Sequence, residues 1–151
     1  MTDYLFVLSG PNLGSLGARD PEVYGTVTLD ELVALAAARA ASHGFGLRHF
    51  QSNHEGALID AIESREQGCA GILANLGAFS HTSVALHDAL EIVGCPVVEV
   101  HLSNPAAREP FRHTSTIAPV VAGSIAGFGS LSYELAVDAL ARLTGTAGPA
   151  A

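Results

Sequence analysis

AGILANLGAFSHTSVALHDALEIV, residues 70–93, is the stretch whose reading decides the fold. Its opening run, Ala70–Asn75, is apolar until its last residue and has the length of a strand. Such a run suits a strand covered on both faces, as in a parallel sheet. A short loop follows, and the spacing predicts a helix over His81–Val93, with Thr82 or Ser83 able to cap it. A doubly covered strand that feeds a helix is half of a β-α-β crossover, so more such units are expected on either side.

They are found. Upstream, Tyr4–Ser9 reads as a strand, and Gly10 to about Val27 as a loop rich in Gly and Pro. A helix is predicted from Thr28 to Gly44, because Thr28 and Glu31 have capping-box spacing and Gly44 is a natural stop. Gly46–Gln51 is a weaker strand, and Ser52 or Asn53 caps a helix expected to run to about Gly68. Downstream come a strand at Pro96–His101, a fifth at Ile117–Ala122 and a last helix containing Tyr133–Leu143. The alternation predicts an α/β fold. The expected form is a flavodoxin-like, five-stranded parallel sheet of order 2-1-3-4-5 with helices on both faces. Residues 1–145 are expected to form one domain and 146–151 a disordered tail. That strand order places a ligand crevice at the carboxyl ends of strands 1 and 3.

Composition narrows the chemistry. The chain has 151 residues and a formal net charge of −8, so nucleic acid and anionic membranes are not expected partners. All seven basic residues are Arg. Without Lys there is no Schiff base, no pyridoxal phosphate enzyme and no P-loop. Cys69 and Cys95 form no CxxC and no zinc spacing, and read as small buried hydrophobes of a reducing cytoplasm. The N-terminus has no basic region of a signal peptide. The uncharged stretch between Arg112 and Tyr133 is broken by Pro119 and several Gly, which argues against a membrane span.

The polar residues that need explaining follow strands 1, 3 and 4. The first loop, SGPNLGSLGARDPEVYG, is neither G-x-G-x-x-G nor GK[ST]. It does hold Arg19 and Tyr24. A phenol with a pKa near 10 is a poor base, but a neighbouring guanidinium stabilises the phenolate. Asn75 ends strand 3, and His81 opens the next helix. Both can hydrogen-bond a hydroxyl. Glu99 and His101 alternate onto one face of strand 4. The carboxylate there orients the imidazole and favours its protonated form, a proton donor at neutral pH. Leu102, Ser103 and Asn104 can form a backbone nest for an anion. Arg108 and Arg112 share a face if their segment is helical. His54-Glu55 lacks the second His of H-E-x-x-H, and no G-x-S-x-G is present, so no metal and no serine nucleophile is expected.

The segments GPNLGSLGARDPEVYG, FQSNHEG, NLGAFSHTSVALHDAL and EVHLSNPAAREPFRHTS together resemble the type II 3-dehydroquinate dehydratases. The resemblance runs from Leu5 to Leu143. It implies conversion of 3-dehydroquinate to 3-dehydroshikimate in the shikimate pathway of aromatic amino-acid biosynthesis, through an enolate and without cofactor. On the matching positions, Tyr24 would be the base, Arg19 the group that keeps it ionised, and Asn12 the holder of a water on the enolate oxygen. His101 would be the acid, supported by Glu99. Asn75, His81 and Arg112 would bind substrate, the backbone of Leu102 and Ser103 its carboxylate, and Arg108 would support the site. Asp88 would reach a neighbouring subunit's site in a cytoplasmic dodecamer, a tetramer of trimers.

The sequence departs from the family at Leu76, His87, Pro105, Ala106 and Thr116. These bear on affinity, loop motion and assembly. Two other readings stay open. One is a related dehydratase, in quinate breakdown or on another cyclic hydroxy-acid. The other is a non-catalytic flavodoxin-like module that cradles a phosphate at Gly10–Gly17.

Overall fold

In the computed structural model, residues 2–18 and 20–145 are described. The sheet has five strands, all parallel, in the order β2-β1-β3-β4-β5. They are β1 (Tyr4–Ser9), β2 (Gly46–Gln51), β3 (Cys69–Asn75), β4 (Val97–His101) and β5 (Gly123–Ala126). Side chains alternate across each strand, so β1 to β4 each feed two cores. Leu5 and Val7 of β1 pack with Leu32, Val137 and Leu140 on one face. Tyr4, Phe6 and Leu8 pack with Leu58, Ile62 and Leu86 on the other. The first face is covered by α2 (Leu29–Ser42) and α5 (Leu131–Leu143), the second by α3 (Glu55–Glu63) and α4 (Val84–Glu91). A short α1 (Pro21–Tyr24) lies within the loop after β1.

Local signals explain the helix ends. Thr28 Oγ1 accepts from Glu31 N at 3.2 Å while the Glu31 carboxylate accepts from Thr28 N, which is the capping box read from the sequence. Gly44 closes α2 with φ +84°, a value that suits a residue without Cβ.

Four expectations are corrected. The fifth strand is Gly123–Ala126 and not Ile117–Ala122. Pro119 has no N–H for a ladder, and residues Ala118–Val120 form a 3₁₀ turn with Ile117 buried in the second core. Hydrophobicity there marked a core plug, not a strand. The third helix starts at Glu55, because Ser52 Oγ accepts from His54 N and forms a turn before it, and it ends at Glu63, well short of Gly68. The helix expected at His81 is split. Gly77–His81 is a 3₁₀ turn, and α4 begins at Val84 where Ser83 Oγ accepts from Leu86 N at 2.9 Å. Arg108 and Arg112 lie on no shared helix, since Pro105–Ala107 and Pro110–Arg112 are separate 3₁₀ turns. The expected tail, 146–151, lies outside the described residues.

Cys69 and Cys95 are half-buried, and the Cys69 thiol donates to Gly71 O at 3.6 Å. The neighbouring Cys69 thiol holds Cys95 below the usual thiol range against the effect of burial.

Candidate active site

The loops after β1, β3 and β4 meet above the carboxyl ends of these strands. Gly10 lies so close to β3's exit that a Cβ on it would sit 2.1 Å from the Leu76 carbonyl oxygen. Only glycine allows that approach. Its N–H also donates to Asn75 O at 2.8 Å. Across the contact, Gly77 takes φ +57° beneath the Pro11 carbonyl. Asn12 then turns the chain with φ +68°, the only non-glycine positive φ among the described residues. Asn tolerates this left-handed conformation better than other L-residues. Its N–H donates to Asn53 Oδ1 at 3.0 Å, and Gln51 Nε2 donates to Gly10 O at 3.1 Å. Ala at position 10 is therefore expected to push the two loops apart. Gly10→Ala should lower Tm by several degrees and reduce turnover at least tenfold, as backbone must shift and small misplacements near a reacting centre are costly. Thermal melts and kcat/KM against the wild type check this.

Between these loops is a cavity of about 100 Å³ lined by Asn12, Tyr24, Asn75, His81, His101, Leu102, Ser103, Arg108 and Arg112, with Pro11, Leu13, Gly77, Ala78 and Pro105 completing the wall. This volume is small beside the roughly 300–1,000 Å³ typical of larger ligand pockets. It has no room for a flavin or a nucleotide. Nor does Gly10–Gly17 form a phosphate cradle: Leu13 and Leu16 are buried and Gly10 is pressed onto Leu76. The binding-module reading loses its basis there.

Tyr24 closes α1, which Asp20 caps through Glu22 N and which Gly25 ends with φ +72°. The Arg108 guanidinium carbon lies 5.2 Å from the centre of its ring, a cation over a π-face. Arg19, expected to attend Tyr24, lies outside the described residues. Arg108 Nη1 also donates to Ser103 Oγ at 3.4 Å. Arg112 Nε donates to Glu109 at 2.6 Å, and Glu109 lies 3.9 Å from Arg108 as well. Glu109's own backbone N–H, and then Arg112, hold its carboxyl below the usual range.

Opposite Tyr24, His101 Nε2 lies 2.6 Å from Glu99 Oε2. Glu99 is 2% exposed, and its carboxylate also accepts from Ser115 Oγ at 2.9 and 2.8 Å and from Ser124 Oγ at 3.4 Å. A buried charge needs such donors. Because the carboxylate only accepts, Nε2 carries its proton, and Nδ1 is the nitrogen left for proton transfer. His81 stacks on His101 with ring centres 6.1 Å apart. His81 Nδ1 donates to Thr114 O at 2.9 Å, which fixes its tautomer in the same way.

Of the residues singled out in the sequence, nine line the cavity and Glu99 lies behind His101. Asp88 does not join them. It is exposed on α4, where His87 Nδ1 bonds to it at 2.9 Å. His87, Asp88 and Glu91 bring ligand-type atoms within 4.8 Å of one another, a grouping the spacing rules missed, but away from the cavity and on an exposed face. Sequence reasoning gave no site role to Ser115, Ser124, Gln51 or Asn53, although Gln51, Asn53 and Ser115 lie in segments that carry the resemblance.

A doubly wound sheet with a phenol, two imidazoles and two guanidiniums around a small crevice defines an acid–base enzyme for a small anion. The comparison with known proteins makes this particular. The chain belongs to the class II dehydroquinases, whose family pattern matches residues 3–141. A 3-dehydroquinate dehydratase of Ruegeria pomeroyi is 56% identical over 137 residues, covering 91% of this chain and 92% of its own. One from Azorhizobium caulinodans is 54% identical over 141 residues, covering 93% and 95%. The type II dehydroquinase of Butyrivibrio crossotus superposes with a TM-score of 0.88 at 41% identity, covering 92% of this chain and 97% of that one.

Proposed function

We propose that this chain removes water from 3-dehydroquinate to give 3-dehydroshikimate, as a metal-free and Schiff-base-free lyase. The observation that carries the reading is the single cavity that joins Tyr24 on one side to the Glu99–His101 pair on the other. Tyr24 takes a proton from C2, next to the ketone. The electrons move onto the C3 oxygen, and the enolate so formed needs preset donors. Asn12 holds a water there. His101 Nδ1 gives its proton to the C1 hydroxyl, which leaves as water while the C1–C2 double bond forms. The C2 proton stays on Tyr24, and water returns both groups to their starting states. The carboxylate of the substrate sits on the backbone N–H groups of Leu102 and Ser103, next to Arg108, while Asn75, His81 and Arg112 hold the ring hydroxyls. Arg19 has the role of keeping Tyr24 ionised.

The proposal includes the surroundings of the site. Residues 1–145 form one catalytic domain of a cytoplasmic enzyme. The exposed Asp88 fits a role across a subunit boundary, as a dodecamer of four trimers would require. No described helix is long and apolar enough to cross a membrane.

The direct test mixes purified protein with 3-dehydroquinate and EDTA and follows the conjugated enone in the ultraviolet. Turnover that survives EDTA is expected. A folded sample with none would remove the assignment and point to another cyclic hydroxy-acid, to be sought by comparing kcat/KM over a panel of such acids.

A further inference from the structure

Asn75 enters the cavity from the end of β3, yet it is only 3% exposed, and the rest of its amide is held from below. Asn75 Nδ2 donates to Tyr133 Oη at 3.0 Å. Burial pushes the Tyr133 phenol up to about 12, with Asn75 and then Ser9 opposing. Ser9 Oγ lies 2.9 Å from His49 Nε2. Ser9 and Tyr133 are both fully buried. The register explains why four segments meet: Ser9 is opposite Asn75 and Val7 opposite His49, so these side chains share the sheet face covered by α5, which carries Tyr133.

The polarity of this row is set at one end. Gly77 N–H, which can only donate, points to Asn75 Oδ1 at 3.4 Å. The Asn75 oxygen therefore faces Gly77 and its nitrogen faces Tyr133. One amide hydrogen goes to the Tyr133 Oη oxygen, which accepts it. Between Ser9 Oγ and His49 Nε2 the donor follows the His49 tautomer. Burial favours the neutral ring at His49, with Asp30 opposing.

We propose that Tyr133, Ser9 and His49 are positioning residues for Asn75, fixing its amide so that its second N–H, and not its oxygen, is presented to the substrate. The consequence is specificity: the cavity wall at this point offers a donor to a hydroxyl or carbonyl oxygen of the ligand, and a ligand group that could only donate there would be rejected. The role of Asn75 toward substrate rests on the dehydration reading above. The orientation of the Asn75 amide does not.

Two measurements separate these. With asparagines labelled in nitrogen-15, one side-chain amide proton of Asn75 in the wild-type protein is expected to be shifted by its bond to Tyr133, and Tyr133→Phe is expected to remove that shift. An Asn75 amide signal unchanged by Tyr133→Phe would overturn the proposal, whatever the protein turns over. Kinetics with 3-dehydroquinate then test the function of the row. Tyr133→Phe, which keeps the buried ring, is expected to raise KM about tenfold, the equivalent of one hydrogen bond, and to change kcat less. Ser9→Ala should do the same if Tyr133→Phe fails to fold. In an Asn75→Ala background neither change should have a further effect. An equal rise in KM in that background would show that Tyr133 acts other than through Asn75 and would sink the proposal. A wild type inactive on 3-dehydroquinate would remove the dehydration reading, and the Asn75 amide signal alone would still decide the positioning role.

Discussion

Tyr24→Phe is expected to lower kcat by about 10²–10⁴-fold, the range for loss of a positioned general base. Only the phenolic oxygen is lost, and the ring that meets Arg108 stays. The cap at Asp20, Pro21 at the first helical position and Gly25 at the end all remain, so α1 keeps its shape. Tm should therefore move by no more than about 2 °C, as for most substitutions outside a core. If proton removal belongs to the transition state alone, kcat and kcat/KM fall together and KM holds. Full turnover in this variant would move the base to another group in the cavity, and a loss in KM alone would make Tyr24 a binding residue.

His101→Asn should be the second largest loss, again about 10²–10⁴-fold in kcat. The Asn amide keeps a donor near Glu99 but has no proton to give to a leaving hydroxyl. The variant also separates chemistry from support. Glu99 is buried, and its carboxylate would keep Ser115 and Ser124 while losing its shortest partner. Breaking a buried pair outright costs roughly 3–5 kcal/mol, so a smaller loss is expected where donors remain. Single-turnover kinetics and melting curves on one preparation give both quantities. Unchanged kcat with a lowered Tm would reduce His101 to a structural partner of Glu99.

The architecture was legible because its signals are local. Thr28 and Glu31 announce a capping box, and Ala70–Asn75 announces a covered strand, with no knowledge of the rest of the chain. Legibility failed where tertiary contact overrode local appearance. Ile117–Ala122 is more apolar than the true edge strand Gly123–Ala126, whose first residues are exposed. An edge strand is held by its ladder to β4, not by burial, so hydrophobicity pointed one segment too early. His81 shows the same limit. A helix start was inferred, and the tighter 3₁₀ turn that actually aims its ring at Thr114 depends on Gly77 and on the packing of Pro11 above it. For the site, residue types and spacing marked Tyr24, Asn75, His81, His101, Arg108 and Arg112, and the family resemblance added Asn12. They did not find Ser115, Ser124 or Tyr133, whose importance lies in what they touch.

The press of Gly10 on the Leu76 carbonyl bears on how such enzymes can be recombined. The loops at 10–13 and 75–77 are far apart in sequence but are a single solid piece in space. A chimera of two relatives joined anywhere between them would inherit the halves of that piece from different parents. Even where each half is sound in its own background, the mismatch would be felt at Asn12 and Asn75 together. Joints placed after the second loop keep the piece whole, so gene shuffling in this scaffold has a natural seam between β3's exit loop and β4.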